Sequence, residues 1–139
     1  MFNKEKNTTT EKSTSNSATL ISAGTVVQGD RLGRTLGYPT ANLQYTDEDK
    51  IHLGHGVYAV YAEVAGQRKK GMMSIGTRPT LDKSEEKVEV NLFDFNEMIY
   101  GKKMRVTVEH FLRQQEKYPS LNIMVNQLHK DKERSLELL

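Results

Sequence analysis

Apolar side chains recur at every second position in several short stretches and at every third or fourth in one, and this contrast predicts the fold. Gly56–Val64 (GVYAVYAEV) is the clearest strand. Alternation sets Val57, Ala59, Tyr61 and Glu63 on one face and Tyr58, Val60, Ala62 and Val64 on the other. The Ala65-Gly66-Gln67 break suits a hairpin into a strand over 68–75. A first strand is expected over 21–28. Residues 87–95 (KVEVNLFDF) alternate again, with Val88, Val90, Leu92 and Asp94 opposite Glu89, Asn91, Phe93 and Phe95. Tyr100-Gly101-Lys102 reads as a connection into a strand over 104–111. After Tyr118 the period lengthens: Leu121, Met124, Val125 and Leu128 share one face of a helix, with Ser120 as its N-cap. Five or six strands followed by one helix predict a small closed or sandwich-like β domain rather than a βαβ fold, the helix closing one side or end of the sheet.

Composition adds bounds to that picture. Residues 1–19 are Ser, Thr, Asn, Lys and Glu with almost no apolar side chains, too few to offset the entropy of ordering, so they are expected to form a disordered polar tail ahead of a single domain over 20–139. With no cysteine there is no disulfide framework, thiolate nucleophile or Cys-ligated metal. A net charge of +2 falls well short of the concentrated positive field of a non-specific nucleic-acid binder. The apolar runs are too short for a membrane span or a signal-peptide core. The expectation is a soluble cytoplasmic monomer without a nucleic-acid or membrane partner.

The densest special region runs from Gly24 to Leu43 (GTVVQGDRLGRTLGYPTANL), where glycines recur every four or five residues and leave backbone amides accessible to phosphate oxygens. It is not a Walker loop, because Asp30 and Arg31 follow Gly29 where Lys and Ser or Thr are required. The segment Gly54-His55-Gly56 matches a loose dinucleotide fingerprint but runs into a strand, leaving no helix N-terminus for a pyrophosphate. Thr40 and Asn42 lie two apart and share a side if extended. They either satisfy loop backbone or offer two neutral oxygens to a hard cation such as Mg²⁺. Glu89 sits mid-strand among apolar neighbours, and two readings are open: a solvated strand face, or a base for proton transfer. Asp47-Glu48-Asp49 reads as a solvated turn, and the four histidines show no ligand spacing. Arg113 and Tyr118 bracket the helix entry, as contacts to an aromatic ligand or as ordinary cap and core contacts.

Taken in order, these segments resemble the riboflavin kinase family. The resemblance rests on Gly24-x-Val26-Val27-x-Gly29, Gly33-Arg34-x-Leu36-Gly37-x-Pro39-Thr40-Ala41-Asn42, Gly56-Val57-Tyr58, Ile75 to Thr80, Val88-Glu89 to Asp94-Phe95, Tyr100-Gly101, and Leu112-Arg113 to Leu121. It implies a six-stranded antiparallel Greek-key β-barrel with a C-terminal helix, and ATP:riboflavin phosphotransfer giving FMN and ADP. It further implies that Glu89 is the catalytic base and that Gly29, Arg34, Thr40, Asn42, Leu92 and Asp94 bind ATP. Thr40 and Asn42 would also hold Mg²⁺, Zn²⁺ or another divalent cation, while Tyr100, Arg113, Glu116 and Tyr118 would contact the flavin. The family's Arg, its acidic residue two positions on and its Phe three further correspond to Arg113, Gln115 and Tyr118, and Gly54-His55 stands where Pro is common. A flavin-binding regulatory paralogue with little catalysis is the alternative. Similar bacterial domains follow an FMN adenylyltransferase, so no FAD synthesis is expected of a chain with a polar tail in that place.

Overall fold

Where alternation is strict, a strand can bury one face and expose the other, and closing the sheet on itself buries one face of every strand at once. The computed structural model describes residues 20–27, 40–45, 53–79 and 84–139. Among them lie strands β1 (Leu20–Val27), β2 (Ala41–Gln44), β3 (Gly56–Val64), β4 (Gln67–Pro79), β5 (Ser84–Leu92) and β6 (Lys103–Arg113), followed by helix α1 (Leu121–Leu138). Every neighbouring pair is antiparallel, and the order β1-β2-β5-β4-β3-β6 returns to β1 to close a barrel. Strands β3, β4 and β5 form a meander and β6 returns beside β3, which is the expected Greek-key arrangement.

The interior follows the alternation. Tyr58, Val60, Ala62 and Val64 point inward and meet Met73 and Ile75 of β4, Val88, Val90 and Leu92 of β5, and Met104, Val106 and Val108 of β6. Val26, Ala41 and Leu43 complete the core from β1 and β2. Burying each of the larger side chains contributes about 1.5–3 kcal/mol, which fixes which face is inside. The β3–β4 hairpin turns on Ala65 (φ 53) and Gly66 (φ 74), both left-handed, the signature of a turn whose twist matches its strands.

Several strand boundaries differ from the sequence-based expectation, the ends of β5 and β4 most. Strand β5 stops at Leu92 rather than continuing to residue 95: the Phe93 amide still bonds Lys70 O at 2.9 Å in line with the ladder, and Asp94 at φ 55 then turns the chain away. Strand β4 runs on to Pro79, beyond residue 75.

Helix α1 lies on the outer wall, with Leu128 packed on Met72 and Phe93. The Ser120 hydroxyl accepts the Ile123 amide at 3.3 Å, as its N-cap role requires. The buried stripe extends the predicted apolar one, however, rather than coinciding with it: Leu121 is half exposed, Met124, Val125 and Leu128 are partly buried, and the deepest helical side chains are Asp131 and Ser135. Asp131 is tolerated there because Arg113 reaches it as a fork, Nε to Oδ1 at 2.9 Å and NH2 to Oδ2 at 2.7 Å, while Gln127 adds a third donor at 2.9 Å. Burial alone would lower the Arg113 pKa; the hydrogen bond and charge of Asp131, with Tyr118 and Glu116, outweigh it and raise it.

Removing one partner of so buried a pair strands the other charge. Asp131→Ala should therefore cost about 3 kcal/mol in urea denaturation, and Arg113→Met with Asp131→Leu should recover most of that loss.

Candidate active site

Directly opposed residues of antiparallel strands point to the same side with Cβ atoms about 5 Å apart. On the outer wall this lines up Asn42 of β2 opposite Glu89 of β5, Glu89 opposite Ser74 of β4, Ser74 opposite Val57 of β3, and Val57 opposite Arg113 of β6. One row thus joins a candidate metal ligand, the candidate base and a candidate flavin residue. At a strand spacing of about 4.8 Å, Glu89 and Arg113 stand about 14 Å apart along it.

Glu89 is partly covered, and Lys87, two residues back on the same face, places Nζ 2.9 Å from its Oε2. That ion pair orients the carboxylate. Beside it, Asn42 Oδ1 is buried and has no hydrogen-bond partner among the described residues. Buried polar atoms are nearly always paired, and a lone neutral amide oxygen has the chemistry of a hard-cation ligand or of an acceptor for a bound donor. The residues present therefore fit a divalent cation. Among the described residues no group of three His, Cys, Asp or Glu side chains could hold a metal ion.

At the adjoining end of the barrel a cleft of about 160 Å³ is lined by Val26, Thr40, Leu92, Phe95, Ile99 and Tyr100, among others. Its outer wall, after β5, is fastened to β1 by Gly101 N to Val26 O at 2.8 Å and Val26 N to Lys102 O at 2.9 Å. Gly101 takes φ 82, a conformation that glycine adopts without strain.

A third group gathers where β6 meets α1. The Arg113 guanidinium lies 5.9 Å from the centre of the Tyr118 ring. Burial raises the Tyr118 pKa; Arg113 lowers it, and Glu116 and Asp131 raise it further. The Tyr118 hydroxyl is buried and makes no hydrogen bond of acceptable geometry among the described residues.

The predicted site residues therefore fall into neighbouring sets: Thr40, Leu92 and Tyr100 around the cleft, Asn42 beside Glu89, and Arg113 with Glu116 and Tyr118. Asp94 is exposed in the turn after β5 and does not line the cleft. Gly29 and Arg34 lie outside the described residues, as do the tail at 1–19 and Asp47-Glu48-Asp49. The Gly54-His55-Gly56 match runs into β3 as anticipated. Sequence reasoning passed over Lys87, Ser74 and Asp131. The first was visible as a charge two positions from Glu89 on an alternating strand. Asp131 was visible as the next position of the Met124, Val125, Leu128 stripe.

The riboflavin kinase (flavokinase) family profile matches residues 17–139. Over 113 residues the chain is 44% identical to the RNA-binding riboflavin kinase RibR of Bacillus subtilis, covering 80% of this chain and 47% of that protein. It is 39% identical over 116 residues to the bifunctional riboflavin kinase/FMN adenylyltransferase of the same organism, covering 81% and 36%. The chain thus spans about half or less of these curated relatives. Among solved structures, a macrolide-efflux protein from Streptococcus pneumoniae superposes with a TM-score of 0.78 at 42% identity, covering 85% of this chain and 38% of that one. The riboflavin kinase of Trypanosoma brucei superposes with a TM-score of 0.64 at 22% identity, covering 87% and 80%, and shares the fold. No helix among the described residues is long and apolar enough to cross a membrane.

A buried acceptor without a partner costs stability rather than supplying it, and Asn42 Oδ1 has none among the described residues. Asn42→Leu should leave the nucleotide-free protein as stable as the wild type, or about 1 kcal/mol more so, by thermal denaturation. A loss of several degrees would reveal a structural partner for that oxygen.

Proposed function

The chain belongs to the riboflavin kinase family, and from that premise we propose that it transfers the γ-phosphate of ATP to the ribityl 5′-hydroxyl of riboflavin, giving FMN and ADP. The observation that carries the reading is the adjacency of Asn42 and Glu89, a neutral oxygen with no partner among the described residues beside a carboxylate on the outer wall. Phosphoryl transfer to an alcohol needs a group to orient the hydroxyl and take its proton, and a separate set to bear phosphate charge. Glu89, steadied by Lys87, is the first: it accepts the 5′-hydroxyl proton as that oxygen bonds to phosphorus and the bond to ADP breaks.

Thr40 and Asn42 would hold the divalent cation, which when bound neutralises charge on the phosphate oxygens; Mg²⁺ is expected, with Zn²⁺ or another divalent ion as substitutes. Gly29 and Arg34 are assigned to the phosphates, and Leu92 and Asp94 to the rest of the nucleotide. Tyr100, Glu116 and Tyr118 contact the flavin. Arg113 contributes by holding that wall, since Asp131 already occupies its fork. Both substrates are cytoplasmic metabolites, and the enzyme acts as a monomer.

A second reading has its own observation. The relative named RNA-binding riboflavin kinase favours a flavin-binding regulator that contacts RNA, against the expectation of no nucleic-acid partner drawn from weak net charge.

Incubation with riboflavin and ATP, followed by chromatography, should yield FMN with Mg²⁺ and none without it. Glu89→Gln should lower kcat about 10²–10⁴-fold while leaving ATP affinity unchanged; wild-type turnover in that variant would remove Glu89 as the base. Tight FMN binding without transfer, or RNA binding that collapses steeply with salt, would select the regulatory reading instead.

A further inference from the structure

Residues 114–120 link β6 to α1 without regular structure and carry Glu116 and Tyr118. Both ends are fixed, by Arg113 on Asp131 and by the Ser120 cap. The middle is held by a side chain that the proposed chemistry does not use. Gln115 Nε2 donates to Ser74 Oγ on β4. Its amide also fills the space over Gly76, where a Cβ would come within 2.9 Å of Gln115 Cδ.

Both anchor points stand directly behind the candidate base. Ser74 is the register neighbour of Glu89, and Gly76 is the register neighbour of Lys87, which pairs with Glu89. Gln115 therefore docks the flavin-side segment on β4 at the level of the carboxylate. The amide donates to the Ser74 hydroxyl and adds no charge beside Glu89 and Lys87.

We infer that Gln115 is a positioning residue, a latch that sets the distance between the flavin-binding wall and Glu89 by way of Ser74 and the bare backbone of Gly76. The inference rests on the kinase reading above. It explains why a strand position facing outward beside the site carries no side chain, and it separates acceptor placement from nucleotide binding, because the latch lies on the Tyr118 side of Glu89 and Asn42 on the other.

Three substitutions reach the latch independently: Gln115→Ala and Ser74→Ala each remove one partner, and Gly76→Ala expels the amide while leaving both. Steady-state kinetics should show KM for riboflavin raised about tenfold in each, with KM for ATP within about twofold of wild type and unfolding midpoints unchanged for the first two. Combining Gln115→Ala with Ser74→Ala should add nothing to either alone. Ser74→Thr, which keeps the acceptor hydroxyl, should retain the wild-type KM. Quenching of riboflavin fluorescence gives the same comparison as a dissociation constant without turnover. Wild-type riboflavin KM in both Gln115→Ala and Gly76→Ala, equal changes for riboflavin and ATP, or full additivity would overturn the latch while wild-type FMN formation leaves the kinase reading standing. A wild-type protein that neither forms FMN nor quenches the flavin would overturn both.

Discussion

Antiparallel pairing of β5 with β2 and β4 sends Val88, Val90 and Leu92 into the barrel and leaves Glu89 on its outer wall. A slip of one residue would exchange these faces, burying a carboxylate among Met73, Ile75 and Leu43 and exposing three core side chains. The loss of apolar burial and the cost of an unpaired interior charge act together against the slip. The same constraint delivers Asn42, Ser74, Val57 and Arg113 to one outer row. The site is therefore a by-product of closing the core: once the apolar faces are inside, the polar residues between them have a fixed order and spacing.

Helix α1 is joined to this wall by two unlike means. Leu128 packs on Met72 and Phe93, which secures the helix without specifying its register closely, whereas the Arg113–Asp131 fork admits little freedom. Because Arg113 ends β6 and begins the connection to α1, the fork also determines where residues 114–120 set out. Buried ion pairs contribute little net stability, and their better attested use is to specify one arrangement among several. Here that arrangement brings Tyr118 against the guanidinium and Gln115 against Ser74.

Much of the fold was legible because its strands obey a strict period of two. GVYAVYAEV showed both its faces correctly, and Ser120 caps the helix as its position before an apolar run suggested. The end of β5 was misjudged, since a period of two can be counted on through Phe93 and Phe95 while Asp94 adopts a left-handed conformation that periodicity does not register. The helix stripe was legible in part: Met124, Val125 and Leu128 do face inward, but hydrophobicity cannot reveal a buried aspartate whose partner lies eighteen residues earlier. Individual candidate residues stood out by type, such as Glu89 on an apolar strand. Their grouping was not, because which strands are neighbours is set by tertiary pairing. Ser74 and Gln115, forty-one positions apart and ordinary in composition, meet only in the closed barrel.

The four-residue span of β2 bears on how this molecule assembles and opens. It is paired over three residues with β1 and over three with β5, whereas β4 is paired over nine with each neighbour. The β3–β4–β5 meander is built from short-range pairings and can form early, with little loop entropy lost, while β2 must be captured between strands distant in sequence. In the native state the same asymmetry makes β2 a low-energy seam for local opening, and β5 part of the most persistent unit. Glu89 thus stands on the widely paired meander and Asn42 on the narrowly paired strand beside it, so the two candidate residues rest on unequal lengths of ladder among the described residues.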